Sequence, residues 1–496
     1  MVNSALSQTA AVNVANNKQL FIDYKFVDQS DNIKLTVNPP VKMGPVISSE
    51  NLWEAGGLGY NNVLDDQGQF KMWYLGWSQS EKSQYGKIHV CYAVSTDGIN
   101  WTKPRLGIVE FGGSRENNIL PCEIEDSGTV FVDPLASSNS RYKMVAMRNW
   151  GKEDAGIYLY ESSDGIHFSL LPTRLFDLWP DTQNQIFYDT RIKKYVAYLR
   201  SWKNRSDKPY GEGAPLPLRT VGRLEIDNLI QPWQYNKLSN PYKLWGNGNI
   251  PAITEEMQEV MACDEQDPPE SDLYTPSVVQ YQLAADVYFA FPSLYRHFPP
   301  PPEGKYSNDG MVDIQMAVSR DGINWTRFRT PYVALGLEEN GDSKTMYMGI
   351  GMFKKGNEIY QYYIGTTNTH GEDVGKNAPK DQSHIFRVVQ RLDGFVSVDA
   401  DYTGGFIITP SLVFQGNSLE LNINTSAAGH ARVEILDESG IPIPGYTLKD
   451  SDLIQGNYVS KKVLWRGKSD VSSLAGKPVR IKMVMRAAKL FAFKFD

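Results

Sequence analysis

The chain predicts an all-β protein, a five-bladed β-propeller followed by a C-terminal β-sandwich. Three observations carry this reading. Two ten-residue stretches more than 200 residues apart are nearly identical, "AVSTDGINWT" at 93–102 and "AVSRDGINWT" at 317–326. Weaker copies surround Asp164-Gly165, Asp227 and Asp393-Gly394, so five copies recur at intervals of 63 to 94 residues, the mark of repeated supersecondary units. The composition agrees. With 11 Trp, 27 Tyr, 20 Phe, 41 Gly and 28 Pro in 496 residues, it is rich in residues that suit pleated surfaces and in residues that turn them.

Each copy has one local logic. A strand such as "HVCYAVS" alternates, Asp-Gly turns it with Gly at positive φ, and an aromatic (Trp101, Phe168, Trp325 or Phe395) packs back. A second hairpin precedes each copy: "YNNVLDDQGQFKMWYLGW", "GTVFVDPLASSNSRYKMVAM", "NQIFYDTRIKKYVAYLR", "SVVQYQLAADVYFAF" and "IGMFKKGNEIYQYYIG". Two hairpins make a four-stranded blade, and five such blades fill residues 18–404. The stretches "EEMQEVMACDEQDPPESD" and "PPP" near Pro300 read as excursions from blade four. From 405 to 496 the texture changes to short alternating strands, "SLELNINTS", "ARVEILDES", "PVRIKMVMR" and "KLFAFKFD", which predict a sandwich of ordinary domain size. Residues 1–17 are small and polar and read as a disordered leader. They lack the basic start and apolar core of a signal peptide, so an exported protein trimmed of its signal and a cytoplasmic protein both fit.

The bulk chemistry narrows the function. A formal net charge of −7 with mixed signs argues against nucleic acid and anionic membranes as partners. Three cysteines without a CxxC pair, and six His, argue against a zinc site or a disulfide framework. No apolar run reaches membrane-spanning length.

The segments "NLWEAGGLGYNNVLDD", "CYAVSTDGINWTKPRLGIVEFGGSRENNIL", "RLDGFVSV" and "GHARVEILDESGIPIPGY" resemble a bacterial group with a family-32-like N-terminal domain. That group lies within the glycoside hydrolase superfamily that includes fructan hydrolases (family 32) and arabinan hydrolases (family 43). The resemblance implies hydrolysis of oligosaccharides or polysaccharides. The departures are specific. The position of the family-32 nucleophile falls near Gly59, in "GLGYNNV", where there is no acid. In "FVDP", which resembles the blade-two Arg-Asp-Pro motif, Val132 replaces the Arg. Blade three has no Glu-Cys pair.

Glycoside hydrolysis needs two carboxyls flanking the bond. Acids at the starts of innermost strands converge on one mouth of a propeller. Counting back from each blade's first turn gives Glu54 in blade one, Glu125 and Asp126 in blade two, Asp181 in blade three and Asp272 in blade four, with Asp342 less well placed in blade five. Glu54, Asp181 and Asp272 form the expected catalytic trio, Glu54 as base or nucleophile and Asp181 or Asp272 as acid. An exposed loop acid is the ordinary alternative for each. Asp133 is a turn acid by register and a pocket acid by resemblance. Trp53, Asn184, Arg200, Tyr274 and His370, with Glu125, Asp126 and Asp133, are the expected substrate contacts, through stacking, hydrogen bonds or charge. No metal is required, and clustered acids at the channel leave room for Ca²⁺. The rival reading is a carbohydrate-binding protein that has lost its acids. A phosphorolytic enzyme would want a basic cluster, which the sequence does not display.

Overall fold

The computed structural model describes residues 10–79, 86–203, 218–234, 257–299, 308–371 and 383–496. Among them the structure is all-β, with helix limited to single 3-10 turns. Five antiparallel units follow one another between residues 57 and 391. Unit one is Gly57–Asp66, Gln69–Trp77 and Ile88–Ser95. Unit two is Asp126–Val132, Tyr142–Arg148, Gly156–Ser162 and Ser169–Phe176. Unit three is Gln185–Asp189, Lys194–Lys203, Leu218–Ile226 and Gln258–Met261. Unit four starts with Ser271–Leu273 and Val278–Gln280. It continues through Tyr288–Ala290 and Ser293–His297 to Gly310–Ser319 and Trp325–Val333. Unit five has Thr345–Met348 and Phe353–Lys355 innermost, then Glu358–Thr366 and Ser383–Arg391.

The units form a closed ring, the arrangement of a β-propeller. Innermost strands of neighbouring sheets meet through side chains that serve backbone groups. Asn62 donates to the Val130 carbonyl at 2.8 Å and accepts from its N–H at 3.0 Å. Gln185 does the same for Val278, at 2.7 and 2.8 Å. Ser127 Oγ bridges to both backbone groups of Asn184, and Ser277 Oγ donates to the Gly349 carbonyl. Ile350 accepts from Val63 N–H and donates to the Asn61 carbonyl, which joins unit five to unit one. The outermost strand of unit five is Val41–Ser48, from the other end of the chain, antiparallel to Ser383–Arg391.

The ten-letter repeat is an inter-unit fastener as well as a turn. In three copies the Ser hydroxyl (Ser95, Ser162, Ser319) accepts from the Gly N–H, and the Asp carboxylate caps the two following N–H groups. The freed Gly carbonyl then accepts from the second strand of the preceding unit: Gly98 from Tyr362, Gly165 from Trp73 and Gly322 from Tyr198, at 2.6 to 2.8 Å. At the same end, turn acids accept from tyrosines of the next unit, and Lys71 joins Asp66 and Tyr142 to the Asp164 carbonyl of the repeat turn. Asp66 holds Tyr142, Asp133 holds Tyr195 and Asp189 holds Tyr288.

Two six-stranded sheets form the sandwich around a core that includes Phe414, Leu421, Ile435, Ile481 and Phe493. The strict alternation of Val479–Arg486, buried at every second residue, reflects one face on that core. The chain boundaries differ from expectation in three places. Val12–Ala15 is a strand, parallel to Leu412–Phe414, so residues 12–15 of the expected leader are ordered by backbone pairing; residues 1–9 lie outside the described residues. Gln19–Leu20, Gln29–Asp31, Ile33–Val37 and Val396–Ala400 also join the sandwich, which is therefore built from both ends of the chain. Gln258–Met261 closes unit three and is no excursion from blade four, because it completes the hydrogen bonding of Leu218–Ile226. The proline run at 300–302 lies outside the described residues.

Gly322 has φ +75, and a Cβ there would meet Tyr198 Oη at 2.7 Å. Gly322→Ala is expected to destabilise the ring by on the order of 1–3 kcal/mol. Calorimetry should show a lowered melting temperature, and an unchanged one would mean that the fastener contributes nothing.

Candidate active site

The site lies where the first strands of the units begin. Its residues come from units one to five: Tyr60; Asp126; Asp181, Thr182, Arg200 and Arg219; Asp272, Tyr274, Tyr295 and His297; Tyr347 and His370. Tyr274 sits at the centre. Its ring lies 5.1 Å from Tyr347, 5.9 Å from Tyr295 and 4.8 Å from His370, and the Arg200 guanidinium stacks over it at 4.0 Å. Tyr347 also meets Tyr60 at 5.9 Å, and the Tyr60 hydroxyl reaches Thr182 Oγ1 at 3.0 Å.

Two carboxyls share one pocket here. Asp126 is half-buried at the start of its strand. One of its oxygens accepts from its neighbour Ser127 N–H at 2.7 Å and the other from Thr182 N–H at 3.0 Å. Asp181, next in sequence to Thr182, forms an ion pair with Arg200 and leaves 31% of its side chain exposed, enough to meet a ligand. Burial, and then the negative charge of Asp181, push the Asp126 carboxyl up to about 7. A proton held by Asp126 beside an ion-paired carboxylate divides the pair into an acid and a base.

The turn that sets this pair is strained. Ser127, Asp181 and Thr182 have φ of +80, +57 and +75. A β-branched residue in that region is a true outlier. Asn184 holds the turn: its amide donates to the Asp181 and Thr182 carbonyls at 3.2 and 3.0 Å, and its oxygen accepts from Arg200 N–H.

Asp272 plays a different part. It is 1% exposed and accepts from Arg219 at 2.9 Å, with His297 Nε2 at 3.1 Å. Burial alone would raise its carboxyl, but the Arg219 charge and the His297 contact outweigh it and hold it at about 2. Arg219 in turn lies 5.5 Å from the Tyr274 ring and 5.4 Å from the Tyr295 ring. The His370 imidazole is pushed down to about 3 by burial and by the charges of Arg219 and Arg200, so it is neutral, and its Nδ1 lies 2.6 Å from the Tyr347 hydroxyl. Burial raises the Tyr60 and Tyr347 phenols well above their ordinary value, so both remain neutral hydrogen-bonding groups.

Of the expected catalytic trio, Asp181 and Asp272 meet at this site, together with Asp126, Asn184, Arg200, Tyr274 and His370. Glu54 does not meet them. It is fully buried beside the second strand of unit one, where its carboxylate takes five donors: Tyr74, Lys103, the Asn51 amide and the backbone N–H groups of Glu50 and Asn51. Four of the donors meet Oε2 and Tyr74 alone meets Oε1, and with no exposed surface the carboxylate is closed to water and sugar. Trp53 packs beside it and donates to Asn118. Asp133 lies at the far end of its strand in the Tyr195 contact, and Glu125 is exposed on the rim, accepting from Trp150 N–H. Among the described residues no three His, Cys, Asp or Glu side chains stand together as metal ligands. Sequence reasoning missed Tyr60, Thr182, Arg219, Tyr295, His297 and Tyr347. A tyrosine in the first strand of three units, in "LGYNN", "DLYTP" and "TMYMG", was the available signal.

No protein-family model matches this chain, and no curated protein matches it. Among solved structures it is similar to a glycosyl hydrolase from Bacteroides ovatus, at 13% identity and TM-score 0.45, over 76% of this chain and 99% of that one. It is also similar to an N-acetylgalactosamine deacetylase from F. plautii in complex with blood group B trisaccharide. That match has 16% identity and TM-score 0.42, over 73% and 96% of the two chains. A third, from the GH130 family of mannoside phosphorylases and glycoside hydrolases that target β-1,2-mannosidic linkages, has 12% identity and TM-score 0.42, over 75% and 96%.

Asp272→Asn would leave the buried Arg219 without its counter-ion, at a cost on the order of 3–5 kcal/mol. The folded value of about 2 lies below the ordinary aspartate value of 3.8. The wild-type contribution is therefore complete above about pH 4 and fades as pH falls toward 2. Denaturation across that range should show the wild type converging on the variant in acid. Parallel curves would detach Asp272 from the acid limb.

Proposed function

We propose that this protein is a glycosidase whose acid and base are Asp126 and Asp181. The observation that carries the reading is the pair itself, one carboxyl raised to about 7 beside another held by a guanidinium, in a pocket walled by tyrosines. Asp126 carries the proton that the leaving glycosidic oxygen needs. Asp181, oriented by Arg200, faces the anomeric centre as base or nucleophile, and the separation of the two across a bound sugar decides between inversion and retention. The rings of Tyr60, Tyr274 and Tyr347 offer apolar faces to a sugar. Their hydroxyls and the neutral His370 offer hydrogen bonds to its hydroxyls. Arg200 and Arg219 are positioning residues. Both are 1% exposed and both are engaged by aspartates, so they orient the acids rather than meet a ligand.

The absence of an acid at Gly59 favours a second reading, a carbohydrate-binding protein on the same scaffold. Product analysis separates the two. The protein is incubated with a panel of furanosidic and pyranosidic oligosaccharides, and released sugars are followed by chromatography. A glycosidase releases sugar, and Asp126→Asn and Asp181→Asn each reduce kcat/KM by about 10²–10⁴-fold. In the wild type, activity falls as pH rises through about 7, because Asp126 then loses the proton it must give. Saturable glycan binding without release would support the binding protein. Release that survives both substitutions would remove the pair from the chemistry.

A further inference from the structure

One exposed aromatic stands beside this pair without a structural reason to be there. Trp150 is 39% exposed on the loop after Tyr142–Arg148, the strand that runs up beside Asp126. Asn149 and Gly151 on either side have φ of +66 and +76, a backbone course that turns the indole outward. Two contacts fix it. Its backbone N–H donates to Glu125, the residue before Asp126, at 2.6 Å, and its indole ring lies 4.7 Å from Trp179, tilted by 51°. Trp179 is 9% exposed and two residues before Asp181. The backbone of Trp150 is thus tied to the segment of the acid and its ring to the segment of the base.

The geometry points to Trp150 as a stacking platform for a second sugar ring, next to the one held between Asp126 and Asp181. A tryptophan face matches the C–H face of a sugar, and its fixed position removes the entropy of ordering it. The substrate class that follows is an oligosaccharide of two or more residues, with chain length read by Trp150 and Glu125 acting as the brace beneath it. This rests on the glycosidase reading for the position of the first sugar.

The test uses the full chain carrying Asp126→Asn, so that ligand is not consumed. Calorimetric titration compares each aryl monosaccharide of the panel with the tetrasaccharide of the same sugar. Adding Trp150→Ala should weaken the tetrasaccharide by about tenfold and leave the monosaccharide within twofold. Trp150→Tyr should restore most of the loss. Tyr402→Ala, which removes another exposed aromatic on the sandwich, should change neither. Equal tetrasaccharide affinity with and without Trp150 would overturn the platform, even where the native chain releases sugar. A loss at Trp150→Ala in a protein that releases no sugar would uphold the platform and overturn the hydrolase. A panel on which no glycan binds would overturn both.

Discussion

The architecture depends on how the innermost strands are joined. A ring of separate sheets leaves each inner strand with an unpaired edge, and a buried unpaired backbone group carries a penalty of one to a few kcal/mol. Here side-chain amides close the edges. Asn62 and Gln185 each present a carbonyl and an NH2 in the geometry of a peptide, and each satisfies both backbone groups of one residue in the next unit. Units one and two and units three and four are thereby held at side-chain distance, whereas units four and five pair at Val312 and Thr345 and units five and one meet through the backbone of Ile350. The acids, tyrosines and His370 occupy the end of this ring where the first strands begin.

The repeat and the hairpins were legible because turns are local. Ser-x-Asp-Gly states its own backbone, and its copies announce five units. What sequence could not state is the partner of each freed carbonyl, which comes from a different unit. The same division explains the site. Asp126, Asp181 and Asp272 could be found by counting back from turns, since a strand start is a local property. Their roles could not, because a role depends on which cation stands opposite. Glu54 shares the register of Asp181, yet a 3-10 turn at Leu52–Glu54 directs it back onto Asn51 and Lys103. Arg219 and Tyr295 belong to second and third strands, and only the packing of unit three on unit four brings them to the mouth. The sandwich boundary was blurred for a related reason. A strand contributed from residues 12–37 carries no mark of the sheet it will join.

Strain and protonation are coupled at the mouth. The positive φ at Asp181 and Thr182 aims one carboxylate at the channel and, in the same turn, presents the Thr182 N–H to the other. Relaxing that turn would withdraw the N–H from Asp126 and carry Asp181 away from it. These two effects oppose each other, since the Thr182 N–H lowers the Asp126 carboxyl and the Asp181 charge raises it, with burial the largest cause of the raised value; Asn184 holds the turn from below by occupying both of its carbonyls. Arg200 acts on the same pair from the other side. It pairs with Asp181 and leaves part of that side chain exposed, while its own positive charge works against the raised Asp126 carboxyl.

The two near-identical stretches differ at one letter, and that letter shows how a repeat is adapted. Ser, Asp, Gly and Asn of the motif are all engaged in the turn, so only the second position is free to vary without disturbing it. In unit one it is the exposed Thr96, whose carbonyl accepts from Lys355. In unit four it is Arg320, which faces the N-terminal segment of the sandwich. Its guanidinium bonds both oxygens of Asp23 at 2.9 and 3.0 Å, reaches Asp286 at 2.9 Å and donates to the Leu20 carbonyl at 2.8 Å. A bidentate pair of this kind fixes direction as well as distance, which a lysine at the same place would not do. The motif supplies the same turn to both units, and in unit four its variable side chain adds a contact to the sandwich beside those that Arg391 makes from unit five to Asn422, Asn457 and Tyr458.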